Sequence, residues 1–258
     1  MSARNPWCWC WQCRRRRRRR FVTGLAILIA LVGLAANQSS QSHHATPAPT
    51  RTTPAPRPSS ADPKRRAPAT STAALESDAG QNLTWVDFHG MRLPVSATAG
   101  PRDIRGGLAS RFADTPQGAL LAAINIGVRT AAQWGGAIFV PTITRQVTGP
   151  AALALLHAEE TAYAQLRAAT HVRAGQPIGQ AHAAEDGYRF TAWSPVAATL
   201  EVVTVGPATG GATVLAATRV QVIWRRGDWR VVAPPGGNWA NAATAISSPL
   251  GYTIFPGR

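Results

Sequence analysis

The sequence predicts an α+β domain in which three helices are followed by a curved four-stranded antiparallel sheet, a cone-like roll, preceded by a single transmembrane helix and a disordered linker. Three observations carry that expectation. Apolar residues recur at helical spacing between residues 114 and 175 and at a period of two from residue 180 onward. Seven consecutive arginines, Arg14, Arg15, Arg16, Arg17, Arg18, Arg19 and Arg20, run directly into an apolar segment that begins at Phe21. A stretch rich in Ser, Thr, Ala and Pro then separates that segment from the periodic region. The resulting division is 1–20, a basic Trp/Cys-rich cytoplasmic arm; 21–38, a transmembrane helix; 39–82, the linker; 83–233, an extracytoplasmic α+β domain; and 234–258, an extended C-terminal tail.

The sixteen residues Phe21 to Ala36 are apolar or weakly polar. At ~1.5 Å per residue they make roughly 24 Å of helix, short of a ~30 Å hydrocarbon core but workable if Arg20 snorkels and Asn37, Gln38 and Ser39 complete the last turn. The positive-inside bias puts residues 1–20 in the cytoplasm and the rest outside, as a single-pass protein of the cell membrane. A basic n-region, an apolar h-region and the small-x-small site Gly33-Leu34-Ala35 also describe a cleaved signal peptide. Sixteen residues slightly exceed the roughly 7–15 of an h-region, which favours the uncleaved anchor. Arg18-Arg19-Arg20-Phe21-Val22 fits a twin-arginine export signal as well. All three readings export the remaining chain.

The formal net charge of +15 invites a nucleic-acid reading until it is apportioned: residues 1–20 carry +8, residues 37–82 carry +2, and residues 83–258 carry +5. More than half lies in the arm, so the exported domain is not expected to bind nucleic acid directly. The arm instead fits anionic lipid, with its tryptophans at the bilayer interface. All three cysteines, Cys8, Cys10 and Cys13, lie there too. Without a fourth ligand or a histidine they do not close a structural zinc site, and the exported domain must hold together without disulfides. No metal or cofactor is expected. A single lysine, Lys64, against twenty-six arginines suggests a GC-rich bacterial coding genome.

In the domain, Trp85 to Pro94 alternates around Gly90 as a short strand or hairpin. Asp114-Thr115-Pro116 is a helix start, and Leu120, Ile124 and Val128 recur on one face while Asn125, Arg129 and Gln133 form a polar stripe ending at Gly135-Gly136. Pro141 to Thr148 reads as a short second helix. A third begins at Pro150, with Leu153, Leu156, Tyr163 and Leu166 on one face and Gly175 to Pro177 as its stop. Strands are expected at 188–193, 199–205, 213–224 and 228–232. A two-residue turn at Arg226-Gly227 would pair Trp224 with Trp229 and place Val220, Val222, Trp224, Trp229 and Val231 on one face.

Phe112 to Asn125, Gln146 to Pro150, Tyr188 to Pro195 and Val222 to Val231 together resemble an actinobacterial domain family found behind a single membrane anchor, often near conjugative-element genes. The order of elements is similar to the nuclear-transport-factor-two-like fold of bitopic scaffold subunits in conjugation and type IV secretion machines. The resemblance covers about residues 83–232 and rests on structural motifs. It implies a non-enzymatic scaffold or assembly component that docks other envelope proteins or itself as a homo-oligomer, and it carries over no catalytic residues.

No G-x-S-x-G, H-E-x-x-H or Gly-Lys phosphate loop is present. Glu159 is the one oddity, because it lies inside the apolar stripe of the third helix, three residues after Leu156 and four before Tyr163. If the roll encloses a pocket, Glu159 with Tyr163 and Tyr188 would form it, and the carboxylate could serve as a general base. That is the enzymatic or ligand-binding alternative to the scaffold. Glu201 and Arg219, on neighbouring strands, are expected to form a cross-strand ion pair.

The topology has a direct test. With the native thiols replaced and single cysteines placed at Ser2 or Ser59, a membrane-impermeant thiol reagent applied to whole cells should label position 59 and spare position 2. The reverse pattern would overturn the orientation.

Overall fold

Thr115 caps and Pro116 opens the first long helix, α1 (Pro116–Arg129), with the Thr115 hydroxyl accepting from the Gly118 N–H at 3.1 Å. The computed structural model describes residues 78–208 and 212–256. The basic arm with Arg14 to Arg20, the apolar segment 21–38 and the linker through residue 77 lie outside the described residues. Among the described residues no helix is long and apolar enough to cross a membrane.

Two short hairpins precede α1: β1 (Thr84–Phe88) with β2 (Met91–Val95), and β3 (Asp103–Arg105) with β4 (Leu108–Ser110). The first turns at His89-Gly90, both with positive φ, as a two-residue hairpin loop requires. After α1 come a 3-10 turn at Ala132–Trp134, helix α2 (Gly136–Gln146), the two-residue strand β5 (Val147–Thr148) and helix α3 (Ala152–Thr170). The remaining strands are β6 (Ala184–Ser194), β7 (Ala197–Pro207), β8 (Thr213–Arg225), β9 (Asp228–Val232), β10 (Ala243–Ile246) and β11 (Thr253–Ile254).

The expected four-stranded antiparallel sheet is corrected to a seven-stranded mixed sheet accompanied by two two-stranded sheets. Its path is β11-β6-β7-β8-β9-β5, and β10 pairs with β8 beyond the end of β9. The four expected strands are the meander β6 to β9. Missing from the expectation were β5, which runs parallel to β9 through Val147↔Val231 and Thr148↔Val232, and β10 and β11 from the segment past Pro234. Strands of two to four residues hold too few side chains to show a period, and their partners lie far away in sequence.

The Trp hairpin has the expected register, with Arg226 and Gly227 at positive φ and the pairs Trp224↔Trp229 and Arg225↔Asp228. One face of the meander therefore carries Tyr188, Phe190, Leu200, Val202, Val220, Val222, Trp229 and Val231, all buried. Helix α1 crosses that face against β7, β8 and β9, and its far side is covered by β2 and β4. Its central residues 118–126 are therefore all buried. Of the expected polar stripe, Asn125 and Arg129 face protein at 0% and 1% exposed, while Gln133 lies past the helix in the 3-10 turn and is half-buried.

The helix ends also differ from expectation. Helix α1 stops at Arg129 rather than at Gly135-Gly136, and α2 begins at Gly136 and carries Pro141 inside it. On α3 only Leu155 is fully buried, while Leu153 is 63% exposed, so the packed stripe runs through Ala152, Leu155, Leu156 and Tyr163. Gly237 fixes that end of the helix. At φ +70° it packs so closely on α3 that a Cβ would sit 2.4 Å from the Leu155 nitrogen.

Trp229 is fully buried and its indole N–H donates to the Ala113 carbonyl at 2.9 Å, whereas Trp224 packs against it half-exposed. Trp229→Ala should therefore lower unfolding free energy by about 3–5 kcal/mol, and Trp224→Ala by clearly less. Urea denaturation of the two variants checks the order. Equal losses would mean that the two tryptophans share the core equally.

Candidate functional site

Helix α3 presents Glu159 within its packed stripe, and the reason for a carboxylate there is a backbone group. Glu159 Oε2 accepts the Ala132 N–H at 2.7 Å, capping the 3-10 turn that follows α1. Burial pushes its pKa up to about 7, against a smaller opposing pull from the Ala132 hydrogen bond. One turn later the Tyr163 hydroxyl donates to the Gln176 carbonyl at 2.9 Å, and its ring meets Phe139 edge-on at 5.9 Å. Glu159 and Tyr163 therefore share a helix face and each ties a loop to it. Tyr188, the third residue of the candidate trio, belongs to β6 and is fully buried, with its ring 5.0 Å from that of Phe255 and 6.2 Å from that of Phe190.

A second buried carboxyl escaped sequence reasoning. Glu185, second in β6, lies opposite Thr204, whose hydroxyl donates to Glu185 Oε2 at 3.2 Å. Desolvation pushes its pKa up to about 7, the Thr204 bond opposing. Nothing local in the sequence marks it, since an acidic residue at the start of a strand usually meets solvent.

Glu201 behaves differently. The cross-strand pair with Arg219 is present at 3.4 Å, and Arg189 on the other neighbouring strand joins it, so β6, β7 and β8 contribute one Arg-Glu-Arg row. The Tyr252 hydroxyl also donates to Glu201 at 3.0 Å, and Arg189 lies 4.5 Å over the Tyr252 ring. Desolvation alone would raise the Glu201 pKa, but Arg189, Tyr252 and Arg219 together hold it below the usual carboxylate range. The row fastens the segment past Pro234 to the sheet.

Four arginines for which sequence reasoning found no binding role converge at the other end. Arg145 in the last turn of α2, Arg225 at the end of β8, Arg226 in the turn and Arg230 in β9 line an open cleft of about 190 Å³ together with Val147 and Thr148 of β5. The parallel β5–β9 pairing brings α2 beside the hairpin, so no local pattern could have grouped them. The adjacent Asp228 is engaged elsewhere. Its carboxylate accepts the N–H groups of Arg111 at 2.9 Å, Phe112 at 3.1 Å and Trp229 at 3.0 Å, and Arg230 lies 3.9 Å away. Among the described residues no carboxylate lies within ion-pair distance of Arg145, Arg225 or Arg226, and no cluster of His, Cys, Asp and Glu could hold a metal ion.

A family model described as Domain of unknown function (DUF8175) matches residues 45–254, a span that ends at the last residue of β11. No curated protein and no solved structure matches the chain.

The two raised carboxyls make stability fall as pH rises. Each holds its proton in the fold up to about pH 7 but in the unfolded chain only to about pH 4.5, so the stability it contributes is complete below pH 4.5 and is lost on rising to pH 7. The loss is up to about 3 kcal/mol per group. Glu159→Gln and Glu185→Gln should each flatten the decline of the urea midpoint between pH 4.5 and 7. An undiminished decline in both would mean that neither carboxyl is protonated in the folded chain.

Proposed function

The chain belongs to the DUF8175 family, and we propose that it serves as a bitopic membrane scaffold, an assembly component of a conjugative DNA-transfer or secretion apparatus in the bacterial envelope. In this reading residues 21–38 anchor it, residues 1–20 lie on the cytoplasmic side against anionic lipid, and the described domain docks other envelope proteins or a second copy of itself outside the membrane. The observation that carries the reading is the filled interior. Trp134, Trp229, Tyr188, Phe139, Leu120, Leu121, Ile126 and Leu155 are fully buried among the helices, the sheet and the hairpins, and a domain whose core is filled by such side chains would meet its partners through its surface. The resemblance to bitopic scaffold subunits points the same way.

One observation favours pocket chemistry instead, namely a Glu159 carboxyl whose pKa of about 7 would suit a general base. Its present partner, however, is the Ala132 backbone, a structural duty that already explains the residue.

Crosslinking in the native membrane separates the two. A scaffold should capture envelope proteins of the same genetic element or its own copies, should lose function on surface substitutions such as Leu153→Asp, and should tolerate Glu159→Gln. Wild-type DNA transfer or secretion after deletion of residues 83–258, or function lost with Glu159→Gln alone in a folded monomeric domain, would refute it.

A further inference from the structure

We propose that the arginine cleft formed by Arg145, Arg225, Arg226 and Arg230 is a binding site for a phosphate group. The proposal stands independently of the scaffold reading. Residues 83–258 carry a formal +5, and these four arginines with Asp228 contribute +3 of it (four positive charges less one), so most of the domain's excess charge is concentrated around one cleft. Like charges gathered in one place raise each other's energy, and the fold elsewhere avoids this: at Glu201, two arginines share a carboxylate and a tyrosine hydroxyl. At the cleft the nearby carboxylate is already committed to three backbone N–H groups and lies 3.9 Å from Arg230 alone. The remaining guanidiniums face open space.

The chemistry of that space selects phosphate over carboxylate. A guanidinium presents paired N–H donors in a rigid fork, and one carboxylate, with two oxygens and a single charge, saturates one or two forks. A phosphate group carries up to two charges and three or four acceptor oxygens pointing in different directions, so it can engage guanidiniums arriving from α2, β8, the turn and β9 at once. Thr148, on the cleft wall, adds a hydroxyl that can donate to a further oxygen. A free phosphate or pyrophosphate and the phosphomonoester headgroup of phosphatidic acid share this chemistry, whereas a diester headgroup offers one charge and two free oxygens.

The test uses the full-length chain in a non-ionic detergent, with pyrophosphate and mixed micelles containing phosphatidic acid as separate probes and poly-glutamate as the carboxylate comparison. The variant combines Arg145→Gln with Arg226→Asn. Neither residue touches Asp228, and Asn-Gly is itself a favoured two-residue hairpin turn, so the fold should persist, which an unchanged urea midpoint would verify. Arg167→Gln, on the exposed end of α3, is the control for loss of a surface positive charge away from the cleft, and phosphate taken up by the arginine run at 14–20 would persist in the double variant. Calorimetric titration should show saturable binding of at least one phosphate probe that weakens tenfold or more in the double variant and is retained in Arg167→Gln. Pyrophosphate binding would identify a soluble ligand, and binding to the micelles alone would identify a headgroup. The proposal is overturned if neither probe binds, if the double variant binds as the parent does, or if poly-glutamate binds as tightly as the phosphate probes.

Discussion

The middle of helix α1, residues 118–126, has no solvent face, and the rest of the domain is arranged to make that tolerable. A helix enclosed by a sheet on one side and hairpins on the other gains apolar contact all round, but every polar group on it must then find a partner inside the protein. Asn125 donates from Nδ2 to the Pro94 carbonyl of β2 at 2.9 Å and to Leu121 at 3.0 Å, which fastens the first hairpin to the helix. Arg129 donates to the Asn125 carbonyl at 2.8 Å and to its side-chain oxygen at 3.0 Å, with its guanidinium 4.3 Å over the Phe88 ring. Desolvation lowers its pKa to about 10, so it stays charged at neutral pH and is held by dipoles and a ring face.

Three tryptophans complete the enclosure. The Trp229 indole donates to Ala113, just ahead of the helix cap, while Trp134 donates to Val128 at 2.6 Å and Trp239 to the Thr130 hydroxyl at 2.9 Å beyond the helix end. Each supplies a large apolar surface together with one N–H that must be paired when buried. They come from the sheet, from the turn after the helix and from the segment past β9, so both ends of α1 are tied to distant parts of the chain.

The domain's carboxylates are used as clamps. Asp228 holds the loop before α1, Glu159 the turn after it, and Glu201 the final segment through Tyr252. Asp228 and Glu159 are committed mainly to backbone N–H groups, whereas Glu201 is held by Arg189, Arg219 and Tyr252. In a chain with fourteen basic and nine acidic residues after position 82, some arginines among the described residues go without an ion pair, and three of these, Arg145, Arg225 and Arg226, meet at one cleft. The basic cleft is thus a consequence of how the fold is fastened as well as a surface available for binding.

Local chemistry in the sequence determined a good part of this. The Thr115-Pro116 helix start, the Trp224↔Trp229 register and the four strands of the meander were legible because caps, two-residue turns and strand alternation act within a few residues. The Glu159 anomaly was visible as well, though not its Ala132 partner. Tertiary structure alone decided the seven-stranded mixed sheet, because two-residue β5 and β11 carry no period and pair with strands far along the chain. It also decided that the Asn125 and Arg129 stripe turns inward and that Leu153 turns outward. A polar stripe reads as solvated unless carbonyls such as that of Pro94 are brought to it, and that depends on what another segment does. The arginine cleft is of the same kind: its members come from residues 145 to 230, and only the parallel pairing of β5 with β9 makes them neighbours.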